Sequence, residues 1–541
     1  MSNVTPAAGS GARERGPLVE MLAIAAPVVV TMTSYTVMGF IDGLMASRIG
    51  PEPVYVAAQG NGGLAIWVVM AACFGVLTIV NTFVSQNLGA GRPERGSAYA
   101  WNGLWLALAA AVLMLPYLLV LPTIFREMGH SGDLLRMELE YARVLGAGAW
   151  FTLAARTLGH YFYGIHKPVV PMIAALVANV VNVVANAVLI FGESGPPEGT
   201  PLAGVFRGIA AAFDVPALGV RGAAIGTVFA SLIEAAIPMA VFLSRRMHAR
   251  YATRSAWRPS RTHVKDILRV GWPGGLMMGN EVVCWGLLMA FLLSAGGRAA
   301  ARAAGLDDAA IEAEGVLQNN VGWIGLRYMH TSFMPAVGIS IAVTAMVGKC
   351  IGMGRPDLAA RRAWVGLGVT MAYMGACALA FALFGPWLVD QFISGETPPE
   401  VRERMIEVGA AVMIAAAVFQ VFDAFGVVLS GALRGAGDTV WPGVVTFVLS
   451  WSIIVGMGYA MIELAPTLGS IGPWIAATVY IIALGLAMLA RFFGGKWRSM
   501  SLVREEPLAD GLDDPRTGPV REGQEVAAGL QASAGGTPGG A

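Results

Sequence analysis

Residues 84–95 read VSQNLGAGRPER, and residues 347–358 read VGKCIGMGRPDL. A valine, two glycines, an arginine, a proline and an acid recur at matching positions. Each copy ends a long apolar run, where glycine supplies dihedrals that other residues resist and arginine marks one side of a membrane. A looser match sets YGIHKPVVP, from Tyr163, against SGALRGAGDTVWP, from Ser430. The chain is a duplication.

The composition says what kind of unit is duplicated. Of the 541 residues 56% are hydrophobic and only 13% charged, a balance that water cannot solvate. The apolar runs between Leu18 and Phe493 are too long for strands and lack the period-two alternation of an outer-membrane barrel. The expected fold is all-α and integral to the membrane. Twelve segments are expected, at 18–44, 61–86, 96–121, 137–160, 168–191, 222–244, 265–295, 319–349, 360–385, 405–430, 438–463 and 471–493. Six per half makes the two repeats parallel, related by an axis along the membrane normal, with both termini on one side.

The basic residues choose that side. Arg13, Arg15, Arg92, Arg95, Lys167, the cluster from Arg245 to Lys265, Lys349, Arg355, Arg361, Arg362, Arg434, Lys496 and Arg498 fall on one set of loops, expected to be cytoplasmic. The opposite loops carry acids such as Glu127, Asp133, Asp307 and Glu396. The expected organisation is a disordered N-terminus over 1–17, a first lobe over 18–244, a cytoplasmic connector and hinge over 245–264, a second lobe over 265–495 and a disordered cytoplasmic tail over 496–541. Two longer outward loops, 192–221 and 296–317, each read as a short amphipathic helix at the outer face. Cys73, Cys284, Cys350 and Cys377 have no C-x-x-C spacing, so neither disulfides nor a zinc site is indicated.

Within this frame, buried charge is costly and points to function. Glu281 sits mid-segment in WPGGLMMGNEVVCWGLLMAFLL, residues 272–293, behind a ladder of Gly271, Gly275 and Gly279 that admits a neighbouring helix. Asn280 adjoins it. Asp423 is the acid of segment ten, with Gln420 one turn earlier on the same face. Two carboxylates in one half suit Na⁺, which takes oxygen ligands, or a shared proton. Asp42, in MGFIDGLMA, is the first-half acid near the outer end of segment one; it reads equally as a functional acid or as an interfacial aspartate reaching for water. Asn182 and Asn186 lie four apart in segment five, either as cavity polar groups or as interhelical glue, with Asn179 one turn before. Glu234, Arg327 and His330 read as structural, with Arg327 placed to neutralise an acid.

Other chemistry is excluded by absence. The sequence contains no G-x-x-x-x-G-K-[ST], H-E-x-x-H or G-x-S-x-G, and no basic face with interleaved aromatics for nucleic acid.

Taken together, MGFIDGLMA, the two G-x-G-R-P turns, the N-x-x-x-N pair before LIFG, WPGGLMMGNE and SGALRGAGDT resemble the MATE (multidrug and toxic compound extrusion) family, in its NorM-like branch, over about residues 18–495. The resemblance implies a V of two six-helix lobes that exports organic cations or other amphiphiles in exchange for Na⁺ or H⁺, with no cofactor besides that coupling ion. Such a protein is no enzyme, acts as a monomer, and sits multi-pass in the inner membrane of a bacterium. By resemblance Asp42, Glu281 and Asp423 are the cation-coupling acids, with Glu281 and Asp423 able to hold Na⁺; Asn182, Asn186, Asn280 and Gln420 are polar cavity or substrate positions. Proton-coupled first lobes in the family commonly carry aspartate where this chain has Asn186, which favours the second lobe. The rivals are a flippase for a lipid-linked anionic precursor, which needs cationic cavity walls where this chain offers mainly Arg156 and Arg327, and a membrane-embedded lipid-modifying enzyme.

Overall fold

The computed structural model describes residues 16–504 apart from positions 51, 53 and 198. Arg13 and Arg15, most of the expected disordered N-terminus, and the tail beyond Arg504 lie outside the described residues. Among the described residues eleven helices are long and apolar enough to cross a membrane. In chain order these are α1 (Pro17–Ala46), α2 (Val54–Gly89), α3 (Pro93–Glu127), then α5 (Val169–Phe191), α6 (Gly219–Phe242), α7 (Arg261–Ala303), α8 (Asp308–Gly352), α9 (Pro356–Asp390), α10 (Pro399–Ala436), α11 (Val440–Leu464) and α12 (Ile471–Phe493). The twelfth, α4, is two helices in succession, Gly132–Ala147 and Ala149–Gly164. It breaks at Gly148, where a Cβ would lie 2.4 Å from Val228. All twelve expected segments have a helix, and the repeat of six plus six stands.

The helices sort by burial. The most apolar stretch of α8 is 78% buried, whereas the stretches of α3 and α9, which occupy equivalent places in the two repeats, are only 28% and 22% buried. Leu113, Leu119, Leu383 and Trp387 are accordingly exposed on α3 and α9, the surface a bilayer would cover.

The repeats meet through matched pairs. The start of α1 joins a core made by the second repeat, with Met21, Ile24 and Ala25 against Val343, Met346 and Val347 of α8. In return, α7 packs on α2. At that crossing a Cβ on Gly75 would stand 2.3 Å from the Gly274 carbonyl and 2.8 Å from the Gly275 Cα. The equivalent of Gly75 is Gly338, where a Cβ would stand 2.9 Å from the Val29 Cα. The G-x-G-R-P turns repeat this arrangement: a Cβ on Gly89 would fall 2.0 Å from Lys349 O, and one on Gly352 would fall 1.9 Å from Gln86 O. Gln86 and Lys349 are themselves matching positions of the two turns, so the duplication that made the sequence repeat also made a self-complementary contact between its copies. Side chains reinforce it: Asn81 Nδ2 donates to Ile341 O at 3.2 Å, Thr82 Oγ1 to Arg434 O at 2.9 Å and Gln86 Nε2 to Gly435 O at 2.9 Å. The described residues from 16 to 503 accordingly form one compact unit.

Three expectations change. The 296–317 loop holds no separate surface helix: α7 runs on to Ala303, α8 begins at Asp308, and four residues turn between them. Alanine-rich sequence extends both helices, Asp307 caps α8 by accepting from Ala310 N at 2.8 Å, and Gly297 lets the two run in contact at Glu314 and Gly315. In the 192–221 loop, by contrast, Ala203–Ala212 is a short helix. The connector over 245–264 is tied to the first repeat. Ser97 Oγ, Trp101 Nε1 and Trp105 Nε1, spaced one turn apart on α3, donate to the carbonyls of Tyr251, Thr253 and Trp257 at 2.7, 2.7 and 2.8 Å. The start of the expected tail, 496–503, is also ordered. Trp497 is fully buried with its ring stacked 4.8 Å from Phe492, and Leu502 N donates to Gln86 Oε1 at 2.7 Å. An indole's apolar area outweighs the polar composition around it.

Candidate functional site

Each repeat buries acid in its interior. In the second repeat, Gly271 and Gly275 bring one face of α7 against α2, and Glu281 projects from a different face toward α12. Its carboxylate is held at both oxygens. Tyr480 of α12 donates its hydroxyl to Oε1, and Trp285, one turn on, donates Nε1 to Oε2 at 3.2 Å. Asp423 of α10 is 9% exposed, close enough for Glu281 to act on its charge, and makes no hydrogen bond among the described residues. One turn before it Gln420, 1% exposed, donates Nε2 to Ser332 Oγ at 2.6 Å and leaves Oε1 without a partner. Glu281, Asp423 and Gln420 thus offer oxygen ligands of the hard kind Na⁺ takes.

Asn280 departs from expectation. Its Nδ2 donates to Ser450 Oγ and its Oδ1 accepts from Trp451 Nε1, both at 2.7 Å. The amide thus ties α7 to α11, where Ser450–Met457 runs as a wider π-helix. A second π-segment, Leu288–Leu292, follows Glu281 on α7 by two turns.

In the first repeat Asp42 is buried, at 8% exposure, rather than reaching for water. Its Oδ1 accepts from Asn186 Nδ2 at 2.7 Å, the same nitrogen stands 3.3 Å from Asn182 Oδ1, and Asn182 Nδ2 lies 3.5 Å from Thr227 Oγ1. Gly226 makes room for this chain, since a Cβ there would meet Asn186 Oδ1 at 2.0 Å. Asn179 serves as interhelical glue, donating to Ser34 O at 2.9 Å. The structure therefore assembles Asp42 with Asn182 and Asn186, and sets Asp423 within range of the Glu281 charge without direct contact among the described residues. Among the described residues no hydrogen bond or ion pair joins the two sets.

Arg327 and His330 are exposed, and Arg327 lies over the Phe392 ring at 5.9 Å instead of neutralising an acid. Tyr480 went unnoticed in the sequence, although a phenol in the middle of an apolar span asks for a partner. A third cluster also went unread: Tyr35 donates to Glu234 Oε1 at 2.5 Å beneath the guanidinium of Arg156.

Two parallel six-helix repeats that meet through matched helix pairs, each enclosing acid within membrane-length helices, define a polytopic membrane transporter rather than an enzyme. The MatE family profile matches residues 27–188 and 322–460, and the chain belongs to that family. Among its relatives, a probable multidrug resistance protein NorM of Thermotoga maritima is 26% identical over 84% of this chain and 88% of its own length. Another of the same name from Deinococcus radiodurans is 28% identical over 87% and 94%, and multidrug resistance protein PmpM of Pseudomonas aeruginosa is 26% identical over 83% and 85%. Among solved structures, an outward-facing multidrug resistance MATE transporter of the MOP superfamily superposes with a TM-score of 0.74 at 20% identity, covering 90% of this chain and 98% of that one. A MOP superfamily transporter from Pyrococcus furiosus gives 0.74 at 21% identity with the same coverage. These likenesses support the fold.

Proposed function

We propose that the protein is a cation-coupled antiporter that exports amphiphilic cations from a bacterial cell, lying in the inner membrane as a monomer with both termini cytoplasmic. The observation that carries this reading is the second-repeat site. Two carboxylates share one interior, and the buried Gln420 Oε1 beside Asp423 lacks a partner. Like charges in a low-dielectric interior call for a cation or a proton between them. With the site open outward, Na⁺ or H⁺ enters it and substrate leaves; open inward, release of the ion restores negative charge that draws in a cationic amphiphile. Asp42, bonded to Asn186, is the first-repeat counter-charge for that substrate. One charge moving through ~100 mV supplies ~2.3 kcal/mol, enough to drive a substrate gradient of roughly 50-fold per coupled ion.

The test is efflux of a fluorescent organic cation from proteoliposomes with Na⁺ and pH gradients imposed separately. One gradient alone is expected to drive efflux. Equal efflux with neither gradient removes the antiport reading.

A further inference from the structure

We propose that the interior pocket of the first repeat formed by Arg156 and His160 is an anion subsite, which takes the carboxylate or phosphate group of an amphiphilic substrate. It rests on the export reading for the kind of molecule that reaches it, and adds a charge preference opposite to that of the acids.

The pocket is nearly filled in this conformation, with about 10 Å³ of free space, room for one small polar group at its polar end, and its walls include Met32, Phe74, Tyr163 and Pro171. Its polar groups are few and incompletely used. Arg156 has five N–H donors and makes no hydrogen bond among the described residues; its nearest carboxylate oxygen, on Glu234, is 3.9 Å away, beyond hydrogen-bond reach. That same oxygen is already taken by Tyr35 at 2.5 Å. The guanidinium carbon instead sits over the Tyr35 ring, 3.5 Å from its centroid, a cation–π contact that leaves its N–H donors available to a planar, bidentate anion. His160 is only 3% exposed, lines the same pocket, and its Nδ1 has no partner. The positive charges acting on His160 come from two sides, Arg156 on α4 and Arg434 on α10 of the other repeat. Arg434 likewise forms no side-chain hydrogen bond or ion pair among the described residues. The one acid facing this group, Glu234, balances one of the two guanidinium charges. Arg156, its side chain only 20% exposed, is a largely shielded cation with unused donors, which is costly unless something supplies the acceptor, and a ligand anion supplies it. With Glu234 beside it, the pocket suits a zwitterion, its anion on Arg156 and its ammonium toward the carboxylate.

The experiment is equilibrium binding to the purified full chain in lipid nanodiscs, using a rhodamine free acid, which is zwitterionic, and its methyl ester, which is a cation with the same ring. In Arg156→Gln the free acid is expected to bind about tenfold or more weaker, as loss of a charge-assisted hydrogen bond gives, while the ester stays within about twofold; Arg156→Lys restores part of the loss. Equal weakening of both dyes, or of neither, overturns the subsite. If Arg156→Gln does not fold, Arg156→Lys carries the same comparison, because a point charge replaces the bidentate fork only in part. A lysophosphatidic acid competitor separates the sources: Arg156-dependent displacement of the free acid admits a lipid phosphate, and its absence assigns the subsite to carboxylates. If wild-type vesicles fail to drive the ester with either ion gradient while Arg156-dependent binding persists, the antiport reading falls and the subsite stands.

Discussion

Asp42 of the first repeat and the acids of the second are held in opposite ways. Asp42 stands alone and accepts from an amide, which extends through Asn182 toward Thr227. Glu281 accepts from a phenol and an indole, and has Asp423 close enough to feel its charge. An amide donor satisfies a single carboxylate. In the second repeat another carboxylate stands within range of the first, and the proposed cation site rests on that pairing. The scaffold is duplicated, down to equivalent glycines at the crossings of α1 with α8 and of α2 with α7, but the chemistry placed inside it is not.

The largest effect is expected where the comparison is sharpest. Glu281→Gln and Asp423→Asn each remove one of two charges from the second-repeat site, so ion-driven efflux should fall to the level of empty vesicles while the protein still inserts and folds. Efflux rates measured under the gradient that drives the wild type decide it. Wild-type rates in both variants would move the coupling site out of the second repeat.

A smaller effect is expected at Tyr480. Tyr480→Phe keeps the ring in α12 and removes the hydroxyl donated to Glu281, a loss of about 1.5 kcal/mol, the low end for a bond to a charged group. The concentration of ion giving half-maximal efflux should shift about 5–30-fold, with the maximal rate little changed. Measuring both parameters separates a ligand-positioning phenol from one that merely fills space, since the latter leaves the ion dependence where it was.

How much of this was legible follows from what sequence patterns encode. Span length, the G-x-G-R-P repeat and the intramembrane acids depend on composition and local order, and they located the twelve helices together with Asp42, Glu281 and Asp423. Pairing across helices has no such local record. Asn280 looked like a cavity residue because it adjoins Glu281, yet successive residues on a helix point about 100° apart, and Asn280 turns to α11 while Glu281 turns to α12. Tyr480 lies 199 residues from the carboxylate it serves. Glu234 reads as structural and Arg156 as an isolated cation for the same reason: each gains meaning only from its partners across helices, Tyr35 and His160 among them. The ordered stretch at 496–503 was hidden by averaging, because one Trp497 anchors a segment whose composition is otherwise polar.

The smallest effect tests whether the first repeat is as passive toward the coupling ion as its amides suggest. Asn186→Ala removes the 2.7 Å donor to Asp42, a net cost of about 0.5–1.5 kcal/mol. Substrate affinity should therefore change by only a few fold, and the response to the driving gradient should not change at all. Truncation alone leaves a cavity as well as a free carboxylate, so a second route to the same state is needed. Gly226→Ala supplies it from the facing helix: a Cβ 2.0 Å from Asn186 Oδ1 displaces the amide while keeping it in the chain. If the two variants agree in substrate affinity and both retain the wild-type ion dependence, the hydrogen bond to Asp42 tunes substrate alone. If either alters the ion dependence, Asp42 takes part in coupling, and the two repeats differ in degree where the hydrogen bonds say they differ in kind.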